Sequence, residues 1–176
     1  MDLTFNEIGV ESVEMLSILA QKAYRDHYLH IWKNDNADWY VNKCFLVEPL
    51  TQELNDLNNK FYIISENEKP LGFLKLVLQY PLSINDEIEP NMLYLERIYF
   101  IKEAVGKGIG EQTMQLAFQK AAEWAYNGLW LSAMDSSLKP IAFYKRMGFE
   151  IVATKQLDFT QIKDEMRGMV VMKKVF

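Results

Sequence analysis

Hydrophobic and polar positions in the first third of the chain follow the periods of one strand and three helices. Residues 2–8 have strand length, and the apolar positions of residues 13–30 recur at the spacing that covers one face of a helix. Ser12 stands immediately before this segment and is a residue type that favours a helix N-terminus. Two shorter helices are expected over residues 39–45 and, with a more polar composition, over residues 51–59. The chain is therefore predicted to begin with a strand followed by a helical segment.

The middle of the chain has the pattern of a β-hairpin followed by a loop. Residues 61–65 and 71–80 are apolar runs of strand length, and Asn67 and Glu68 between them predict a turn. Residues 81–91 contain two prolines and three acidic residues without a basic one, a composition that is typical of a loop. We therefore expect two antiparallel strands here and no further strand before residue 93.

The second half of the chain alternates strands and helices. Residues 93–101 form an apolar strand that runs directly into a glycine-containing segment, and a helix with apolar residues on one face follows. Asn127 and Gly128 are expected to end this helix, because both tolerate the left-handed backbone that closes a C-terminus. The remaining predicted elements are a strand over residues 129–134, a helix that begins at Ser136 or Ser137 and ends at Gly148, and strands over residues 149–157 and 169–174.

The order of these elements predicts the fold class. Strands that are interrupted by strand-helix-strand crossovers indicate an α/β protein with a central mixed sheet and helices on both faces. The chain has 176 residues, of which 49% are hydrophobic and 24% charged, and this is the size and composition of one compact domain rather than of a disordered or fibrous chain. We therefore expect a single domain over residues 1–176.

Charge and cysteine content narrow the possible functions. A net charge of −5 disfavours binding to nucleic acid or to an anionic membrane, whereas a cationic small substrate is tolerated. No apolar run reaches ~18 residues, and the first ten residues carry acids rather than the basic start of a leader, so a cytoplasmic location is expected. Cys44 is the only cysteine, and the two histidines lack a nearby third ligand, so neither a disulfide nor a metal site is predicted.

The strongest chemical signal is the segment VGKGIG at residues 105–110, between a predicted strand and a predicted helix. Glycines at alternate positions let the backbone turn tightly and bring its N–H groups close to a ligand, and the positive end of the following helix points to the same place. This combination suits a pyrophosphate group. The Gly-x-Gly-x-Gly spacing fits neither a P-loop nor a dinucleotide fingerprint. A plain tight turn from strand to helix is the alternative interpretation.

Together these motifs resemble the GNAT superfamily of acyl-CoA-dependent N-acetyltransferases. The resemblance rests on YLERIYF, VGKGIG, LWLSAM and PIAFYKRMGF, all within residues 94–150, and the pattern is similar in detail to spermidine/spermine and PaiA-type polyamine acetyltransferases. It implies a single-domain GNAT fold with a mostly antiparallel central sheet, and an acetyl-CoA-binding core over residues 93–150. It also implies acetyl-CoA as co-substrate without a metal, and a homodimer.

The resemblance further implies which residues contact acetyl-CoA. The main chain near Phe100, where the family's strand bulges and separates from its neighbour, is expected to bind the pantetheine arm and the acetyl oxygen. Val105 replaces the family's usual Arg or Gln, and Lys107 is available as a positive charge instead. Ser137 stands where the family often has Asn. The implied contacts are Ile98, Tyr99, Phe100, Val105, Gly106, Lys107, Gly108, Ile109, Gly110, Glu111 and Ser137.

An alkylammonium has a pKa of ~10.4 and a thiol a pKa of ~8.5. At neutral pH, acetyl transfer to an amine therefore needs one group that takes a proton from the ammonium and another that protonates the departing thiolate. By resemblance, Glu96 takes the amine proton through water, and Tyr144 holds the sulfur and donates the proton. The residues alone leave two alternatives open. Glu96 is also interpretable as a surface partner of Arg97, and Tyr144 as an aromatic core residue of its helix.

The acceptor that the resemblance implies is a primary amine, with a polyamine or a similar small amine preferred. Three side chains of the first helix are interpreted as walls of the acceptor pocket: Tyr24, His27 and Tyr28. Ordinary core packing of these residues is the alternative interpretation. Two rival functions remain. One is acetylation of a protein N-terminus or lysine, and the other is a catalytically silent module that binds acyl-CoA and contacts a partner.

Overall fold

The computed structural model of the protein describes residues 2–176. Its strands are β1 (Leu3–Ile8), β2 (Asn59–Glu66), β3 (Lys69–Val77), β4 (Leu82–Ile84), β5 (Glu87–Glu89), β6 (Met92–Phe100), β7 (Gly128–Met134), β8 (Glu150–Gln156) and β9 (Gly168–Val175). Seven of them form one sheet in the order β1-β2-β3-β6-β7-β9-β8, while β4 and β5 form a separate hairpin. Every neighbouring pair in the sheet is antiparallel except β6 and β7, which are parallel.

The helices cover both faces of this sheet. They are α1 (Val13–Tyr28), α2 (Asp38–Cys44), α3 (Val47–Asn55), α4 (Ile109–Glu123) and α5 (Leu138–Arg146). Tyr99 of β6 packs edge-on against Tyr24 of α1, whereas a Cβ on Gly110 of α4 would lie within 4 Å of the rings of Phe100 and Phe143. Successive strand residues point to opposite faces, so α1 lies on one face and α4 and α5 on the other. The predicted fold class is confirmed.

The prediction of a loop over residues 81–91 is wrong, because β4 and β5 pair there as a hairpin. Asn85 and Asp86 form its two-residue turn with φ values of 50° and 65°. Asn and Asp adopt this left-handed conformation more readily than other non-glycine residues, and two such residues in succession match the twist of a hairpin. The hairpin covers Trp130 of β7, whose indole Nε1–H donates to the Tyr80 carbonyl oxygen at 3.1 Å.

Two predicted helix boundaries need correction. Helix α3 begins at Val47 rather than near residue 51, because Pro49 is tolerated in a first turn, where its missing N–H has no helical partner to lose. Helix α4 ends at Glu123, and Ala125 rather than Asn127 or Gly128 takes the left-handed conformation, with φ of 57°. Gly128 instead begins β7, where a Cβ would lie 2.2 Å from the Lys174 carbonyl oxygen of β9.

The parallel strands β6 and β7 separate after three residue pairs. Pairing is confined to residues 92–94 with residues 128–130, which we call the closed end. Beyond Tyr94 and Trp130 the strands diverge; residues 95–100 and 131–134 form the open end. Lys75 pairs with Arg97 and Leu76 with Leu95, so Glu96 is the extra residue of a β-bulge at the start of the open end. The bulge thus lies at Glu96 and not near Phe100.

Candidate active site

A cavity of about 160 Å³ occupies the open end. We call it the active-site cavity. Its walls come from α1 and the segment after it, from α2, β6, β7 and α5, and from the connection between β8 and β9. The lining residues are Tyr24, Tyr28, Ile31, Trp32, Tyr40, Leu95, Glu96, Ile98, Tyr99, Leu131, Ser132, Ala133, Met134, Ser137, Pro140, Tyr144, Leu157, Phe159, Ile162 and Met169. Because β6 and β7 do not pair here, their facing backbone groups are free to bind a ligand.

Glu96 is the one carboxylate in the wall, and two cations hold it. The Glu96 carboxylate lies 2.6 Å from Lys75 Nζ and 3.2 Å from Arg97 Nη2. The Lys75 and Arg97 side chains are each 5% exposed, whereas Glu96 is 26% exposed. The cations therefore fix the orientation of a carboxylate that remains accessible from the cavity. The expected pairing of Glu96 with Arg97 is present, and it coexists with a place in the cavity wall.

Glu53 of α3 balances the charge of this cluster. Arg97 donates from Nη1 and Nη2 to the two Glu53 carboxylate oxygens at 2.7 and 2.9 Å, and Lys75 Nζ donates to Glu53 at 2.7 Å. Burial acts to raise the pKa of Glu53, but the Arg97 guanidinium and the Lys75 ammonium outweigh it and hold this pKa below its usual value. Two cations thus face two carboxylates, and the group as a whole is neutral.

Tyr144 of α5 brings a hydroxyl to the same cavity. Tyr144 is 9% exposed, and it lines the cavity together with Glu96. Burial, with a smaller contribution from the neighbouring Tyr28, raises the pKa of this hydroxyl. The group therefore stays protonated at neutral pH, as a donor to a departing thiolate must. The fold places Tyr144 and Glu96 around one cavity, although 48 positions separate them along the chain.

Four tyrosines form one aromatic wall. The rings of Tyr24 and Tyr28 stack with centroids 4.9 Å apart, Tyr24 and Tyr40 are equally close, and Tyr99 contacts Tyr28 edge-on at 5.5 Å. Burial raises the pKa of all four hydroxyls, so they are uncharged at neutral pH. Stacked aromatic faces beside a single carboxylate favour a cationic alkylammonium group.

Two connecting segments close the cavity on one side. Trp32 after α1 and Ile162 between β8 and β9 form an isolated antiparallel bridge. The Lys33 N–H donates to the Gln161 carbonyl oxygen and the Lys163 N–H to the Ile31 carbonyl oxygen, both at 3.0 Å. The Lys163 ammonium also pairs with Asp35 at 2.9 Å. These two paired segments therefore wall the cavity on this side.

The glycine segment lies at the N-terminus of α4, outside the cavity lining. Gly106 and Gly108 have φ of 83° and 75°, and a Cβ at either would meet no heavy atom within 4 Å. Within the described residues no side chain caps the first turn of α4, so its N–H groups remain available. Val105 is 61% exposed, and Lys107 is exposed beside it. This geometry suits a diphosphate that approaches from solvent.

His27 has a different setting from its two tyrosine neighbours. Its Nε2 lies 3.0 Å from the Phe100 carbonyl oxygen, which makes Nε2 the donor, and it does not line the cavity. The adjacent Asp26 carboxylate accepts from the Lys102 N–H at 2.9 Å. The C-terminal turn of α1 thus holds the end of β6 where the chain turns toward the glycine segment.

The structure brings most predicted site residues to two places. Glu96, Tyr144, Tyr24, Tyr28, Ile98, Tyr99 and Ser137 line the cavity, whereas Phe100 and residues 105–111 lie outside the lining, toward and within the glycine segment. Sequence reasoning missed the residues between β8 and β9, of which Phe159 and Ile162 line the cavity, because no motif marks them. It also missed Glu53. The signal for a buried carboxylate was present, since Lys75 interrupts an apolar strand.

Comparison with known proteins identifies the family. A sequence profile of the acetyltransferase (GNAT) family matches residues 14–149, so the chain belongs to this family, and the predicted family and enzyme class are confirmed. A curated relative from Lactobacillus delbrueckii subsp. lactis is described as an uncharacterised N-acetyltransferase in the pepI 3′ region. It is 29% identical over 109 residues, which is 62% of each chain. The match therefore spans less than two thirds of that relative's length.

Solved structures share the fold over the whole chain. PaiA N-acetyltransferase from Thermoplasma acidophilum, solved in complex with coenzyme A, is 18% identical, with a TM-score of 0.76 and complete coverage of both chains. Ribosomal-protein-alanine N-acetyltransferase from Brucella melitensis is 16% identical, with a TM-score of 0.72 over 98% of this chain and 99% of that one. At these identities the likeness establishes the fold. Within residues 2–176 no helix is long and apolar enough to span a membrane.

Proposed function

We propose that this protein transfers the acetyl group of acetyl-CoA to a primary amine of a small molecule, with a polyamine as the preferred acceptor. One observation carries the proposal: a protonated hydroxyl, Tyr144, and an accessible carboxylate, Glu96, line one cavity at the open end of β6 and β7. These are the two groups that the transfer requires. Membership of the GNAT family supports the same reaction.

Acetyl-CoA is the acetyl donor, and we propose that residues 93–150 form the core that binds it. The backbone of this segment supports the proposal. The free N–H groups at the start of α4, with Lys107 nearby, suit the diphosphate, and the unpaired edges of β6 and β7 suit the amides of the pantetheine arm. The main chain of Ile98, Tyr99 and Phe100 lies along this edge. Ser137 lines the cavity at the beginning of α5.

The acceptor side favours a narrow amine over a protein substrate. A lysine or N-terminus on a folded partner needs an open groove, whereas the Trp32–Ile162 bridge closes this cavity on one side. The aromatic rings of the wall and the accessible Glu96 carboxylate supply partners for a bound alkylammonium.

The residues divide the proton transfers as follows. Glu96, through water, takes a proton from the bound ammonium, so that the nitrogen lone pair forms the C–N bond as the C–S bond breaks. Tyr144 donates its hydroxyl proton to the sulfur. Of the three protons on the starting ammonium, one remains in the amide, one ends on the thiol by way of the Tyr144 oxygen, and one is released to solvent. Acetyl-CoA supplies the activated thioester, and no metal takes part in the scheme.

The test measures release of free thiol from acetyl-CoA with purified protein and a panel of amines. Spermidine, spermine, a simple alkylamine and a peptide with a free α-amino group cover the rival acceptors, and a reaction without amine measures background hydrolysis. We expect saturable turnover of small amines and background rates with the peptide. Turnover of the peptide alone would assign protein acetylation, and tight acetyl-CoA binding without turnover of any amine would assign the silent module.

A further inference from the structure

Ser132 of β7 presents a hydroxyl to the active-site cavity that the proposed chemistry does not use. Its Oγ is buried and has no hydrogen-bond partner among the residues that the structure describes. A buried hydroxyl without a partner costs free energy, and native proteins rarely leave one unpaired unless a ligand or water completes it. The cavity is where such a partner would bind.

Ser132 and Glu96 occupy corresponding positions just beyond the paired part of β6 and β7. The last paired residues of the closed end are Tyr94 and Trp130, and two further positions along each strand lead to Glu96 and Ser132. Residues two apart on a strand point to the same face, so Ser132 shares its face with Trp130. Glu96 is the extra residue of the β-bulge on the neighbouring strand, and both Glu96 and Ser132 line the cavity. The carboxylate and the hydroxyl therefore flank the gap where the strands separate.

We propose that the Ser132 hydroxyl accepts a hydrogen bond from the attacking amine and makes the enzyme selective for primary over secondary amines; this inference rests on the proposed function. A neutral primary amine has two N–H groups and one lone pair. When the lone pair points to the thioester carbon, one N–H faces Glu96 or its water and the second faces Ser132. A secondary amine carries an alkyl group in place of one N–H, so it cannot satisfy both partners.

The same hydroxyl would act differently if its partner were the pantetheine arm. An amide N–H of that arm would donate to Ser132, and loss of the hydroxyl would then weaken acetyl-CoA binding equally for every acceptor. The amine partner instead predicts an effect that depends on the acceptor and leaves acetyl-CoA affinity unchanged. The two possibilities therefore separate in one set of measurements.

The experiment compares wild type, Ser132→Ala and Ser132→Thr with n-butylamine and N-methylbutylamine. We expect Ser132→Ala to lower kcat/KM for the primary amine about 5- to 10-fold, the range of one lost hydrogen bond, and to change the secondary amine less than about 2-fold. Ser132→Thr keeps the hydroxyl and should restore most of the primary-amine rate. Calorimetry should show an unchanged Kd for acetyl-CoA and weaker binding of butylamine to the complex with free coenzyme A.

Ser65→Ala is the matched control, because Ser65 is a buried strand serine of the same sheet that does not line the active-site cavity. Its kinetics should match wild type. Equal loss for both amines, a raised Kd for acetyl-CoA, or unchanged kinetics in Ser132→Ala would overturn the assignment of Ser132. Absence of wild-type turnover with every small amine would instead overturn the proposed function and this inference with it.

Discussion

The closed and open ends of the β6–β7 pair use the same two strands in opposite ways. At the closed end the backbones pair, and the rings of Tyr94 and Trp130 stack with centroids 4.0 Å apart. Tyr80, which lies between β3 and β4, stacks on Tyr94. At the open end the backbones separate, and the cavity there is lined by the Glu96 carboxylate, the Tyr144 hydroxyl and the Ser132 hydroxyl. The Ser132 Oγ has no protein partner in the described chain.

This difference separates stability from chemistry within one pair of strands. A paired, apolar segment lowers the free energy of the fold, whereas unpaired polar groups raise it unless a ligand satisfies them. The closed end therefore holds the strands in register, and the open end leaves backbone and side-chain groups for substrate. Mutations at the closed end should mainly affect unfolding, and mutations at the open end should mainly affect turnover.

The largest effect is expected at the closed end. Trp130→Ala removes a ring that is 6% exposed and should lower the free energy of unfolding by about 3–5 kcal/mol, because the stack and its hairpin cover collapse together. Chemical denaturation measures this loss. Tyr80→Ala, which removes a ring that is 54% exposed, should cost less than half as much. A loss below about 1 kcal/mol for Trp130→Ala would show that the stack does not hold the closed end.

The second largest effect is expected from changes to the two carboxylates that contact Lys75 and Arg97, which are Glu96 and Glu53. Glu96→Gln should lower kcat/KM about 100-fold at neutral pH, because the ammonium loses its proton acceptor. The deficit should shrink as the pH rises toward the pKa of the amine, where the substrate is already neutral. Glu53→Gln should leave the rate near wild type while lowering the free energy of unfolding by about 3 kcal/mol, since the buried Arg97 and Lys75 each lose one of their two carboxylate partners.

Denaturation curves for both glutamine variants serve as the control for folding. If Glu53→Gln reduced turnover as much as Glu96→Gln did, the charge cluster as a whole and not the Glu96 carboxylate would govern the rate. A flat pH dependence of the Glu96→Gln deficit would likewise remove Glu96 as the proton acceptor.

A smaller effect is expected from Tyr144→Phe, which deletes one hydroxyl of the open end. We expect kcat to fall about 10-fold or more with unchanged acetyl-CoA affinity, because the thiolate then leaves without a proton donor. Steady-state kinetics and calorimetry measure the two quantities. Tyr62→Phe is the control, since that hydroxyl bonds to Glu7 far from the cavity. Equal rates for wild type and Tyr144→Phe would remove Tyr144 from the mechanism.

The smallest effect concerns the chain that leads into the closed end. Ala125 holds φ of 57° after α4, and Ala125→Gly should raise the free energy of unfolding by about 0.5–1 kcal/mol, because glycine adopts this conformation without strain. Ala122→Gly, in the last turn of α4, should lower stability by a similar amount. Thermal unfolding distinguishes the two signs, and a loss of stability in both variants would contradict the assignment of strain to Ala125.

Local sequence predicted the elements whose signals are local. The glycine segment, the apolar faces of α1 and α4 and the β2–β3 hairpin with its Asn67–Glu68 turn all follow from spacing and turn chemistry. The two-residue turn at Asn85 and Asp86 carried the same kind of signal, but the prolines around it indicated a loop. Gly128 indicated a helix end. The structure shows instead that a glycine is needed there because β9, near the C-terminus, approaches its backbone closely.

By itself the sequence indicated the family, the order of most elements and the proposed proton-transfer residues, because side-chain chemistry and periodicity are properties of short segments. Only the tertiary structure decided where β6 and β7 separate, that Lys75 and Arg97 contact both Glu96 and Glu53, and that Ser132 lines the same cavity as Glu96. Each of these three features depends on residues that are far apart in the chain, and no local sequence pattern encodes how close such residues lie in the folded protein. The cavity follows from that separation, and with it the proposed chemistry.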